Sequence, residues 1–138
     1  MPLIHWKSDM KLGIPIIDEE HERLVLLINR LYGAAQDGDK PSVVQSVFDE
    51  MKGYADCHFE HEVKLFSLTD YPDKLAHIRE HAELSERIVA LESVVRQNDM
   101  EKAGSELMHF LLDWLIKHTQ DSDAKYVPYL INKPHLFE

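Results

Sequence analysis

The chain has 138 residues, of which 44% are hydrophobic and 29% charged, a composition that fits one folded domain able to bury a core without disulfides. With 25 acidic against 15 basic side chains, its formal charge of −10 repels phosphate backbones and anionic membrane surfaces, so nucleic acid is not an expected partner. No apolar run reaches the roughly 18 residues that span a bilayer. The stretch from Met1 to Met10 also lacks the basic-then-apolar order of a signal peptide. A lone cysteine, Cys57, forms no internal disulfide. The expectation is a cytoplasmic protein with no membrane partner.

Residues 1–17 read as an N-terminal arm. A first helix is expected from Asp18, a side chain suited to N-capping, to about Gln36, with an apolar face through Leu24, Leu27, Ile28 and Leu31. The turn-forming run Asp37-Gly38-Asp39-Lys40-Pro41 ends it. A second helix, about 41–66, starts at Pro41, and its inner stripe reads Val44, Val47, Met51, Tyr54, His58, Glu62, Leu65. After a break at Ser67 to Pro72, a third helix, about 73–97, carries His77, His81, Leu84, Ile88, Leu91 and Val95 at spacings of four and three. Asn98-Asp99 marks a turn. A fourth helix, about 100–120, has Leu107, Leu111, Trp114, Leu115 and His118 on one face, and a tail follows from about 124 to 138.

No strand-like alternation or internal repeat is present, so the fold class is all-α. Four amphipathic helices joined by short loops specify an up-down-up-down antiparallel four-helix bundle, here with an N-terminal arm, in a single domain over 1–138. That topology has a chemical consequence. His21 opens the first helix, His58 and Glu62 stand near the end of the second, His77 and His81 open the third, and His118 lies near the end of the fourth. In an alternating bundle those four places share one end.

Imidazoles and a carboxylate on otherwise apolar stripes are costly to desolvate unless something compensates them, and a metal ion does so. His58 with Glu62, and His77 with His81, are pairs four residues apart, one helical turn along the same face, where both can chelate. Histidines with carboxylates and no thiolates suit iron, manganese or zinc, and argue against a structural zinc or iron–sulfur site. Each histidine alone would be an ordinary core or surface side chain. The ordered set is what carries weight.

From Trp6 to about Tyr126 the chain resembles the hemerythrin family. The matching pieces are Asp18-x-x-His21-x-x-Leu24, His58-Phe59-x-x-Glu62, Tyr71-Pro72 followed by His77-x-x-x-His81, and Trp114-Leu115-x-x-His118-x-x-x-x-Asp123. Each fragment is weak alone, and together and in order they are specific. The resemblance implies two iron ions with a bridging oxo or hydroxo group, with His77, His81 and His118 on one iron, His21 and His58 on the other, and Glu62 and Asp123 bridging both. It leaves one coordination position open, on the iron with only two histidines, and implies reversible binding of dioxygen. Counting charge then explains reversibility: the proton of the bridging hydroxide moves to the incoming oxygen, so a sealed site gains no net charge.

Regular helical geometry does not place His118 and Asp123 together, since five residues correspond to about 140° around the axis. Asp121, three residues on, is the simpler alternative. Asp123 instead requires a widened turn or a helix end between them. The family usually carries isoleucine where this chain has Thr119. A hydroxyl there either meets a bound ligand or an ordered water, or bonds back to a helix carbonyl. Thr119, Leu24, Phe59 and Trp114 are the candidate walls of an oxygen pocket. His5, His61, His109 and His135 match no family ligand and read as structural or surface residues; for His61, next to Glu62, a supporting role outside the ligand set is the alternative to a surface position. Cys57 reads as a small packed side chain.

A binding protein for oxygen storage, delivery or sensing therefore leads, and no catalytic acid, base or nucleophile is assigned. The alternatives are a di-iron enzyme handling peroxide, nitric oxide or an oxidisable substrate, and an iron or redox sensor using the same site. The paired Glu-x-x-His motifs of ferritin-like oxidases occur here only once, at Glu106-Leu107-Met108-His109.

Overall fold

The computed structural model describes residues 3–36, 38, 41–97 and 99–130. Four long helices dominate it, α1 (Pro15–Gln36), α2 (Pro41–Ser67), α3 (Lys74–Arg96) and α4 (Met100–Asp113). The last continues without a break into a π-helical segment, Trp114–Ser122, then a 3-10 turn, Asp123–Tyr126, and a final turn of helix, α5 (Val127–Leu130). There is no strand among the described residues. α1 and α3 each pack against both α2 and α4. With short connections, that ring of contacts makes consecutive helices antiparallel in an all-α four-helix bundle.

α1 begins at Pro15 rather than at Asp18. Proline's fixed φ suits the first helical position, and the Ile14 carbonyl already accepts the Asp18 amide at 2.8 Å. Asp18 therefore sits in the first turn, not at the cap. Its carboxylate reaches back to accept the amides of Leu12 (2.6 Å) and Gly13 (3.1 Å), steadying an entry loop in which Gly13 has a φ of 93°. Upstream, Asn29 brackets the Ile4 peptide, accepting its N–H at 2.9 Å and donating to its carbonyl at 2.8 Å. Trp6 lies half-buried against the core beside that clamp.

The expected fourth helix also changes character, because α-helical geometry stops at Asp113 and the wider π geometry holds from Trp114 to Ser122. Helical turns then persist to Leu130, within the segment the sequence assigns to the C-terminal tail. Parts of the predicted turns (Asp37, Asp39, Lys40 and Asn98), His135 and the tail from 131 onward lie outside the described residues.

Two apolar clusters fill the bundle. The larger joins Leu24, Ile28 and Leu31 of α1 to Val44, Val47 and Met51 of α2, to Leu84, Ile88 and Leu91 of α3, and to Leu107 and Leu111 of α4. The smaller occupies the end where α2 leads into α3, from Ile14 and Ile17 through Leu65, Phe66 and Tyr71 to Tyr126. In each helix the polar residues of the inner stripe fall between these clusters, so the bundle contains one polar layer sealed by apolar layers above and below. The described helices include none long and apolar enough to cross a membrane.

Leu107 is fully buried in the larger cluster. Leu107→Ala should lower unfolding stability by about 2–5 kcal/mol through lost burial and a residual cavity, read as a shift in the urea or thermal midpoint.

Candidate metal centre

The polar layer collects His21, His58, Glu62, His77, His81, His118 and Asp123, all buried. Every one comes from the inward stripe of its element, and the antiparallel order brings the four helix ends together as the sequence requires. The π segment supplies the remaining piece. Its wider turn lets the Asp123 amide donate to the His118 carbonyl five residues back, stacking Asp123 close to His118 instead of swinging it about 140° away. Asp121 points outward, its side chain 71% exposed and 3.9 Å from Lys125.

The two carboxylates lie at the centre of the imidazoles. Asp123 turns Oδ2 toward His21 Nε2 (2.8 Å) and His58 Nε2 (3.3 Å), and Oδ1 toward His77 Nε2 (2.9 Å) and His118 Nε2 (3.2 Å). Glu62 Oε1 stands 2.9 Å from His81, 3.2 Å from His77 and from His58, and 3.5 Å from His118. Two overlapping groups could each hold a cation, Glu62 with His77, His81 and His118, and His58 with Glu62, His118 and Asp123. His21 joins the second group through Asp123 Oδ2.

Burial opposes charge here, yet the carboxylates stay ionised. Burial would raise the Glu62 carboxyl, but the charge on His58 and the surrounding imidazoles hold it well below its usual range. Asp123 is likewise raised by burial and by Glu62, and brought below its usual value by His118, His21 and His58. The imidazoles respond in kind. Burial lowers His118, but Asp123, Glu62 and Glu80 outweigh it and lift the group to about 9. His58 and His77 are raised on the same balance, whereas burial wins at His81 and lowers it.

Protons do not complete this layer, because Glu62 Oε2, Asp123 Oδ1 and His118 Nε2 are buried and lack a properly formed hydrogen bond. Such atoms are expensive in a folded interior. A pair of metal ions at this point would satisfy them, and imidazole nitrogens with carboxylate oxygens are donors that first-row transition metals accept.

The outer nitrogens show a repeated arrangement not anticipated from sequence. Glu80 of α3 places Oε2 3.2 Å from His118 Nδ1 and accepts the Ser122 hydroxyl on Oε1 at 2.9 Å. Glu20 of α1 places Oε2 3.4 Å from His58 Nδ1, without a formed hydrogen bond, and Oε1 3.0 Å from His61 Nδ1. His61, with a 43% exposed side chain, thus connects to the layer through Glu20. Each glutamate directly precedes a candidate ligand, in Glu20-His21 and Glu80-His81, and serves the histidine of the next helix. That repeated Glu-His pair was the available signal. Its target depends on cross-helix rotation, which the sequence does not display.

Among the pocket candidates, Leu24 and Trp114 are buried in the larger apolar cluster. The Phe59 ring stacks on His81 at 4.2 Å and 15°. Thr119 is fully buried and donates its hydroxyl to the Leu115 carbonyl at 2.6 Å, the back-bonded alternative. The spacing places Tyr54 on the inner stripe of α2; in the structure its ring also stacks on His58 at 5.4 Å and 9°, with burial and then nearby carboxylates pushing the phenol up. Cys57 is exposed rather than packed, since its neighbour His58 takes the inward position. His5 and His109 are exposed as well.

An all-α bundle with an imidazole and carboxylate layer at one end is a cation-binding architecture. Residues 12–130 match the hemerythrin HHE cation binding domain, and the chain belongs to that family. It is 32% identical over 136 residues to a bacteriohemerythrin of Stenotrophomonas maltophilia, covering 99% of this chain and 86% of that one. It is 37% identical over 122 residues to a bacteriohemerythrin of Pseudomonas aeruginosa, covering 88% of this chain and 78% of that one. A hemerythrin-like protein of Naegleria gruberi is 27% identical over 122 residues, 88% and 89% of the two chains.

Removing the Asp123 charge should release the imidazoles it holds. In metal-free protein, NMR should find His118 titrating at about 9, and Asp123→Asn should move that midpoint down toward the ordinary 6.5, because the charged imidazole loses its strongest attraction.

Proposed function

We propose that the polar layer holds two iron ions and that the protein binds dioxygen reversibly, for storage, delivery or sensing. The observation that carries this reading is the divided allegiance of Asp123, whose Oδ2 faces His21 and His58 while Oδ1 faces His77 and His118. A carboxylate presented to two imidazole groups at once is suited to bridging a metal pair. On this reading His77, His81 and His118 serve one ion, His21 and His58 serve the other, and Glu62 joins Asp123 in bridging. The match to a cation binding domain supports a metal in this layer, and the family resemblance adds iron and oxygen as cofactor and ligand.

When bound, a ferrous pair would supply the electrons that dioxygen takes up on binding and returns to the metals on release. The chain's own residues prepare the ground for that. Glu80 and Ser122 fix the rotation of His118 from outside, and Glu20 stands behind His58. Leu24, Phe59 and Trp114 keep an apolar wall on the bundle side, and Ile17, Phe66 and Tyr126 close the other. Water is thereby kept from the layer, which favours a reversible ligand over net oxidation. The Thr119 hydroxyl is committed to Leu115 and does not add a free polar group to that wall. We place the protein in the cytoplasm, an assignment supported by its exposed free thiol, Cys57.

Iron content separates the bridging carboxylate from its neighbour in sequence. The parent and Asp121→Ala should each retain about two irons per chain, while Asp123→Ala should lose at least one, as measured by metal analysis after desalting. Repeated aerobic and anaerobic optical cycling tests the ligand. Absorption that returns over many cycles supports carriage, and bleaching with turnover of an added reductant would replace it with the enzyme reading.

A further inference from the structure

Tyr54 carries a feature that folding alone does not explain. It is 5% exposed, and its hydroxyl is buried without a hydrogen-bond partner. A buried, unpaired hydroxyl destabilises a fold. Phenylalanine would keep every ring contact at this position and omit that cost, so the ring accounts for the packing but not for the oxygen.

The surroundings indicate what the oxygen is for. Tyr54 stands one turn before His58 on the inner stripe of α2, on the bundle side of the polar layer, with its ring nearly parallel to the imidazole. His21 lies beyond that imidazole, ring to ring at 5.4 Å. Across from it Tyr54 meets Trp114 at 5.5 Å, and Trp114 meets Phe59 at the same separation. The phenol thus belongs to the apolar wall over the histidine-poor side of the layer. The other hydroxyl in this wall, Thr119, is occupied by the Leu115 carbonyl.

We propose that the Tyr54 hydroxyl donates a hydrogen bond to the small ligand held beside His21 and His58, making Tyr54 a determinant of ligand affinity and residence time. The proposal rests on the di-iron reading, which supplies the ligand's attachment point. A ligand with an accepting atom would satisfy this unpaired donor, so the interaction favours the bound state alone. Trp114 Nε1 is also buried and unpartnered. Removing only the phenol oxygen separates the two.

The test uses iron-loaded, oxidised protein and azide, an anion that ligates ferric iron and accepts hydrogen bonds. Tyr54→Phe should bind azide roughly 3- to 10-fold more weakly, mainly through faster dissociation. The infrared stretch of bound azide should shift in D2O for the parent and not for the variant. Metal-free Tyr54→Phe should be at least as stable to urea as metal-free parent, because it loses an unpaired group. Unchanged azide affinity, an absent isotope shift in the parent, or a less stable metal-free variant would each overturn the proposal. A parent that takes up no iron pair, or loads it and binds no azide, would remove the di-iron reading and this inference together, and that failure is visible before any variant is made.

Discussion

Glu62 and Asp123 are fully buried negative charges, and much of the bundle is arranged around keeping them so. Isolating one carboxylate in a protein interior costs several kcal/mol or more, and two within one layer add mutual repulsion that raises Asp123 further. Five imidazoles, drawn from α1, α2, α3 and the π-helical extension of α4, answer that cost. The answer is incomplete without cations, since Glu62 Oε2, Asp123 Oδ1 and His118 Nε2 lack a properly formed hydrogen bond. The helices are held together by apolar clusters on either side, but their relative rotation is constrained by this layer. A helix turned by one residue would take an imidazole out and put an apolar side chain against a charge.

The π segment follows from the same constraint. Nine residues in a wider spiral, Trp114–Ser122, are a less favourable backbone than a regular helix, and they persist because Asp123 and His118 must face the same centre. Once widened, the chain also delivers Ser122 to Glu80 and Tyr126 to the smaller apolar cluster. One local departure from α geometry therefore positions a central carboxylate, the residue that orients Glu80, and part of the closing wall.

Much of this was legible in the sequence because it depends on spacing within single helices. The stripes of α2 and α3 announced both the elements and the inward direction of His58, Glu62, His77 and His81, and the alternating topology gathered them. The interval of five between His118 and Asp123 marked a place where the helix had either to widen or to end, although not that a widening would begin as early as Trp114. What escaped depends on partners far apart in the chain. Asp18 resembles a cap until Pro15 is seen to start the helix and Asp18 to hold the loop before it. Glu20 and Glu80 are surface-type residues by composition, and only the rotation of neighbouring helices points them at His58 and His118. Thr119 allowed two hydrogen bonds on paper, and a helix carbonyl at 2.6 Å took the hydroxyl.

The paired glutamates expose a hidden symmetry and the point at which it breaks. α1 with α2, and α3 with α4 and its extension, form two similar hairpins, each opening with a Glu-His pair and closing with an imidazole aimed at the shared centre. The second hairpin has one more imidazole, His77, four residues before His81. Its counterpart in the first, four residues before His21, is Ile17, buried among aliphatic and aromatic neighbours. In their count of central imidazoles the two hairpins thus differ by one, and a hydrocarbon occupies the place in the pattern where a further nitrogen donor would stand. On the di-iron reading, the unequal supply of imidazoles to the two metals is set by one isoleucine where symmetry would have called for a histidine.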